Sequence, residues 1–172
     1  MGRLIILTGQ RRVGKSTVCT ELSALAREEG VRCAGIITLA AMREREVVDV
    51  RTGDSRPLTR DSEVGAVIQG RFRFSPETIQ WARAVVGRAT PCDLLVVDEI
   101  GPLEVVRGEG WADALDVVRG AAYAMAVVVV RPELVEAVCA LLTPLQPEIL
   151  YVTRQNRCQL PGRLLSMLGK SC

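Results

Sequence analysis

The chain has 172 residues, with 22 Lys plus Arg against 20 Asp plus Glu and a net charge of +2. A composition of 48% hydrophobic and 24% charged residues is that of a folded globular protein rather than a disordered tail, and the near-balance of charge implies no bulk attraction to nucleic acid or anionic membrane. The complete lack of histidine excludes His-ligated metals, a Ser-His-Asp triad and a His general base, so any chemistry must draw on carboxylates, Lys, Arg, Cys or backbone dipoles. In chain order, residues 3–8 read as a buried strand and residues 16–29 as a helix, with Val18, Leu22 and Leu25 on one face and Gly30 as its stop. Residues 34–39 form a second apolar run. The alternation then breaks: a polar centre in residues 40–46, an apolar run at 47–50 and the Thr52-Gly53-Asp54 turn signal predict a hairpin or an added antiparallel strand. Ser75-Pro76-Glu77 has the chemistry of an N-cap, a first-turn proline and a favourable early carboxylate, with Ile79, Ala82 and Val86 sharing a face behind it. Residues 93–98 and 124–130 are further apolar strands. Helical spacing recurs at Trp111, Leu115 and Val118, and again at Leu134, Val138 and Leu141 after Pro132. A last strand, 148–153, precedes a short helix over 161–168. Continuous apolar strands alternating with helices predict one three-layer α/β domain over residues 1–172, with a mainly parallel sheet covered on both faces.

The N-terminal apolar run, Leu4 to Leu7, is too short for a signal-peptide core, and the apolar stretch from Gly120 to Val130 falls short of the ~18 to 20 residues of a membrane span. A cytoplasmic protein is therefore expected, with its six scattered cysteines reduced and Cys172, at the chain end, the most exposed. Between Arg43 and Arg73 lie Arg45, Arg51, Arg56, Arg60 and Arg71, interleaved with Glu44, Glu46, Asp49, Asp54, Asp61 and Glu63. This reads as a solvated mixed-charge face; the sharper alternative is an arginine-lined flap over an anionic ligand.

Gly9-Gln10-Arg11-Arg12-Val13-Gly14-Lys15-Ser16 matches G-x-x-x-x-G-K-[ST] between the first strand and the first helix, the context the motif requires. Glycines let backbone amides curl round a phosphate, and the helix N-terminus adds unpaired N–H groups and partial positive charge. Lys15 is placed for the β- and γ-phosphates, Ser16 for Mg²⁺ and Thr17 for the α-phosphate. The only other lysine is Lys170, so a lysine at position 15 stands out against a background that otherwise uses arginine. Farther on, an apolar strand ends in Asp98-Glu99. Asp98 fits the metal-side carboxylate of such a site, and Glu99 is then the best general-base candidate in a chain without histidine. Because the 34–39 strand intervenes in sequence, the expected sheet has an extra strand between the loop strand and the acid strand, the RecA-like arrangement. Arg131, just past the 127–130 run at the sheet edge, is a candidate transition-state arginine. Asn156 and Arg157 are candidates to contact the base or to close the domain.

Thr8-Gly9 through Ser16-Thr17, Gly35-Ile36-Ile37-Thr38, Val97-Asp98-Glu99-Ile100-Gly101-Pro102-Leu103-Glu104 and Val152-Thr153 with Asn156-Arg157 resemble the cancer-related, or thermophile-type, nucleoside triphosphatase family. The resemblance runs from the N-terminus to about Leu168, and its Asp-Glu-Ile-Gly and late Val-Thr-x-x-Asn-Arg runs are far more specific than the loop alone. It implies a three-layer P-loop fold and slow Mg²⁺-dependent hydrolysis of ATP, GTP and other nucleotides with weak base preference. Carried over by position, it implies phosphate and metal contacts from Lys15, Ser16 and Thr17, a metal-side Asp98 and a water-activating Glu99. The chain departs from the family at Gln10-Arg11-Arg12, where proline or glycine is more usual. Two other classes remain open at this stage: a small P-loop kinase and a GTP-binding adaptor of molybdenum-cofactor assembly. A monomer without nucleic-acid or membrane partners is the expectation, since the few aromatics form no basic-aromatic stripe and no Asn-Lys-x-Asp guanine signature is present.

Overall fold

The computed structural model describes residues 2–41, 44–59, 66–69, 72–120 and 122–169. Arg43, Arg60, Arg71, Asp61, Glu63, Lys170 and Cys172 lie outside the described residues. The main sheet is built from β1 (Arg3–Thr8), β2 (Cys33–Ala41), β3 (Glu44–Asp49), β4 (Ser55–Pro57), β7 (Cys92–Ile100), β8 (Tyr123–Val130) and β9 (Glu148–Tyr151), and a small antiparallel pair from β5 (Val67–Gln69) and β6 (Phe72–Phe74). Helices α1 (Lys15–Glu28), α2 (Pro76–Gly87), α3 (Pro102–Val106), α4 (Ala114–Arg119), α5 (Val135–Leu141) and α6 (Leu160–Leu168) complete the chain.

The sheet order is β4-β3-β2-β7-β8-β1-β9. Pairings β2–β7, β7–β8, β8–β1 and β1–β9 are parallel, whereas β3 and β4 add antiparallel. This is the expected mainly parallel three-layer α/β sheet with an antiparallel addition. The strand between loop strand β1 and acid strand β7 is β8, which comes later in the chain; β2, the run that intervenes in sequence, flanks β7 on its far side. Arg131 follows β8 and so lies at the carboxyl ends of the central strands, not at an outer edge of the sheet.

Side-chain alternation along each central strand produces two cores. Leu4, Ile6, Leu95, Val97, Ala126 and Val128 face one side, where they pack with Ile79, Ala82 and Val86 of α2 and with Leu115, Val118 and Val138. Ile5, Leu7, Leu94, Val96, Met125 and Val127 face the other, against Val18, Leu22, Ala26 and Leu164. Each fully buried aliphatic side chain stabilises the fold by roughly 1.5–3 kcal/mol. Ser75 accepts from the Thr78 N–H, capping α2 as its sequence predicts.

In two predicted helix faces Val18, Leu22 and Val138 are buried as expected, but the last position of each is not. Leu25 and Leu141 are exposed, and burial falls on Cys19 and Ala26 in the first helix and on Val135 and Leu142 in the other. Pro132–Leu134 forms a 3₁₀ turn ahead of α5, and its three-residue pitch shifts the phase of the apolar face by one position. Trp111 is buried in the turn before α4 rather than on the helix. Helix α3 and strands β4 to β6 are too short to leave a periodic signal. The five cysteines among the described residues are all free thiols.

Candidate active site

The loop from Gly9 to Gly14 turns from the end of β1 into α1. Gly9 (φ 146°) passes so close to the Val152 carbonyl that a Cβ there would lie 2.5 Å from its oxygen, and Gly14 caps the helix in the left-handed region at φ 109°. Arg12 is also left-handed, at φ 60°, although it is not a glycine. A side chain in that conformation costs roughly 1–2 kcal/mol, so the departure at Gln10-Arg11-Arg12 is a local strain on an otherwise regular loop. Val13 turns its side chain into the core, anchoring the loop from beneath. Gln10, Arg11, Arg12, Lys15, Ser16 and Thr17 instead line a cleft of about 860 Å³ at the carboxyl ends of the strands, with Thr38, Arg45, Asp98, Glu99 and Arg131 on its other walls. A site of this size suits a nucleotide, and its position follows the rule that open α/β sheets bind ligands beyond the strand ends.

Lys15 Nζ donates to the Gly9 and Gln10 carbonyls at 2.8 and 2.9 Å, lying across the mouth of the loop. Burial lowers its pKa, an effect opposed by the negative charges of Asp98 and Glu99. Asp98 is fully buried at the tip of β7. Its Oδ2 accepts from the Thr38 N–H at 3.1 Å, while its Oδ1 has no hydrogen-bond partner among the described residues. Burial, reinforced by the neighbouring Glu99 charge, pushes the Asp98 pKa up to about 7; the adjacent Ser16 hydroxyl partly offsets this without a well-formed bond to Oδ1. The Thr38 hydroxyl is likewise buried and unpartnered. Asp98 with an unspent oxygen, the neighbouring Ser16 hydroxyl and the Thr38 hydroxyl line one cleft, a set of hard oxygen donors that fits a small divalent cation held jointly with ligand phosphates. Among the described residues no cluster of three acids, cysteines or histidines forms a cage that would hold such an ion without the ligand.

A break in the β7–β8 register between Val97 and Ile100 puts Glu99 in the left-handed region at φ 67°. The bulge places Glu99 on the wall of the cleft beside Asp98, where a regular strand would send successive side chains to opposite faces. The Arg45 guanidinium of β3 grips the Glu99 carboxylate, Nη1 donating to Oε1 at 2.5 Å and to Oε2 at 2.7 Å. The arginine cluster thus divides. Arg51 donates to the Ala89 carbonyl and Arg56 stacks on Trp81, both structural roles, while Arg45 belongs to the site. No local sequence signal distinguishes Arg45; its place follows from the antiparallel register that sets it opposite Ala40.

Arg131 lines the cleft near Lys15 and makes no ion pair among the described residues. Asn156 does not face the cleft freely. Its Oδ1 accepts from the Thr153 N–H and its Nδ2 donates to the Tyr151 carbonyl, each at 2.8 Å, so it pins the turn after β9. Arg157 from that turn lies over Gly14 and reaches the Val13 carbonyl at 3.5 Å, bracing the phosphate loop.

Behind Glu99, the buried Glu104 accepts from the Gly101 N–H at 2.9 Å, and burial raises its pKa to about 7. An acid raised in the folded state binds more protons there than in the unfolded chain, so its contribution to stability is full below about 4.5 and is lost as pH rises through about 7. Glu104→Gln removes this ionisation. In denaturant melts at pH 5 and pH 8, the variant is expected to lose less stability between the two than the wild type; an unchanged difference would show that Glu104 ionises freely.

Several known proteins are similar to this chain. A nucleoside-triphosphatase THEP1 of Methanopyrus kandleri is 32% identical over 118 residues, covering 64% of this chain and 64% of that protein, so the match spans just under two thirds of the relative. The THEP1 nucleoside-triphosphatase of Methanosarcina barkeri is 29% identical over 93% of this chain and 94% of its own. The crystal structure of THEP1 from the hyperthermophile Aquifex aeolicus superposes with a TM-score of 0.75 at 18% identity, covering 97% of this chain and 99% of that one. The solution structure of a human cancer-related nucleoside triphosphatase gives 0.73 at 21% identity, covering 99% and 100%. At these identities the two structures establish the shared fold. Residues 4–165 match the family model described as NTPase, nearly the whole chain, and the protein belongs to that family.

Proposed function

We propose that the protein is a Mg²⁺-dependent nucleoside-triphosphate hydrolase of broad base specificity, acting as a single domain and a monomer in the cytoplasm. The observation that carries this reading is the pairing of adjacent acids at the tip of β7 with the phosphate loop across one cleft: buried Asp98 with an unspent oxygen, and Glu99 beside it. Ser16 and Asp98 would hold the ion, which when bound neutralises charge developing on the phosphates. Lys15 and the loop amides hold and orient the triphosphate. Glu99 takes the proton of a water whose oxygen attacks the γ-phosphorus, while the bond to the β–γ bridging oxygen breaks and the diphosphate leaves. Arg131, which lines the same cleft, would meet charge developing on the phosphates. Asn156 is spent on its own turn and is not free to read guanine.

The test is phosphate release from a nucleotide panel, with and without Mg²⁺ and without an added acceptor. Multi-turnover release is expected, with ATP and GTP rates within about tenfold, or ~1.4 kcal/mol in transition-state binding. Release or transfer only after a small-molecule acceptor is added would make the protein a kinase. Tight binding without turnover under either condition would make it an adaptor.

A further inference from the structure

We propose that Arg45 is a latch on the catalytic glutamate: it pairs with Glu99 and is drawn off to the γ-phosphate when a nucleoside triphosphate binds. This rests on the hydrolase reading above. Both Glu99 oxygens accept from Arg45 Nη1, so the carboxylate that should receive a water proton is already engaged. The pair is not a loose surface contact, with side-chain exposures of 12% for Arg45 and 29% for Glu99. Arg45 reaches it from β3 across β2 to β7, and lines the same cleft as Lys15, Asp98 and Arg131. Lys15 is in the same condition, its ammonium resting on two loop carbonyls. Lys15 and Arg45, two of the cations that line the cleft, are therefore held by acceptors of the chain itself, and an incoming polyphosphate is the stronger acceptor for each.

Transfer of Arg45 does two things at once. It frees Glu99 to accept a hydrogen bond from the attacking water, and it places a guanidinium on the oxygens where transition-state charge gathers. A diphosphate leaves the latch closed, because its shorter chain presents no γ-oxygens to Arg45. Hydrolysis is thus coupled to the presence of the third phosphate, and product release is favoured when the guanidinium returns to Glu99.

The latch makes a prediction that a static ion pair does not. If the latched form holds about nine tenths of the empty protein, weakening it raises apparent triphosphate affinity about tenfold, since only the open fraction binds with full strength. Calorimetric titration with a non-hydrolysable triphosphate is carried out on wild type, Glu99→Gln, Arg45→Met and the double variant; methionine keeps an unbranched apolar stem and leaves the fold intact. Glu99→Gln is expected to bind about tenfold more tightly than wild type, and this gain is expected to vanish in the Arg45→Met background. Titration with the diphosphate is expected to show no gain. Arg45→Lys is expected to restore part of the coupling. An equal gain with and without Arg45 would mean simple relief of negative charge and would overturn the latch, as would an equal gain for diphosphate or no gain at all. Failure of the wild type to bind any triphosphate would remove the hydrolase reading together with the latch, whereas binding without coupling between the two positions removes the latch alone.

Discussion

Lys15→Ala is expected to weaken binding of a non-hydrolysable triphosphate by about 10²- to 10⁴-fold. Lys15 Nζ now bridges the Gly9 and Gln10 carbonyls, and on binding it exchanges those neutral acceptors for charged phosphate oxygens. Hydrogen bonds to charged groups are worth roughly 1.5–3 kcal/mol each, and two of them, at 1.4 kcal/mol per decade, give a loss of that order. Stability should hardly change, because one of the two carbonyl contacts is exposed and the other only partly buried, so water can replace the ammonium. The variant therefore separates binding from folding: its thermal melt should overlay the wild type while its titration flattens. Undiminished affinity would sink the assignment of the loop to phosphate binding.

Glu99→Gln is expected to lower turnover by about 10²- to 10⁴-fold, the usual cost of removing a general base, while leaving the nucleotide bound. That is roughly 2.7–5.5 kcal/mol on the barrier. The amide preserves the volume and the left-handed backbone at this position but cannot take the water proton. Single-turnover hydrolysis under saturating nucleotide isolates the chemical step from product release. Turnover near the wild-type rate would move the base elsewhere, to Glu104 or to the γ-phosphate itself. Glu104 is the less suited of these, since its carboxyl already caps the Gly101 N–H from a buried position.

The local parts of this site were legible from sequence. A phosphate loop depends on the order of small, basic and hydroxyl residues along six to eight positions, so Gly9 to Thr17 could be assigned without knowing the fold. The same holds for Asp98 and Glu99, because a strand tip is marked by the end of an apolar run. The longer strands and helices followed from hydrophobic period, as did the two-faced burial of the parallel sheet. What the chain order could not reveal was neighbourhood. Sequence proximity put the second strand between the loop and the acids, whereas β8 takes that place, since parallel strands pair through crossovers of variable reach. The same limit hid Arg45 among the other arginines of its segment: it meets Glu99 only because β3 runs antiparallel on β2 in one particular register. It also left the contacts of Asn156 and Arg157 open: Asn156 bonds within its own turn, and Arg157 reaches the Val13 carbonyl. Composition and local pattern determined which groups are candidates to bind phosphate and activate water. Only the tertiary structure decided which cation restrains which carboxylate, because an ion pair between residues 54 positions apart depends on strand register and a single bulge, and neither leaves a mark on the local order of residues.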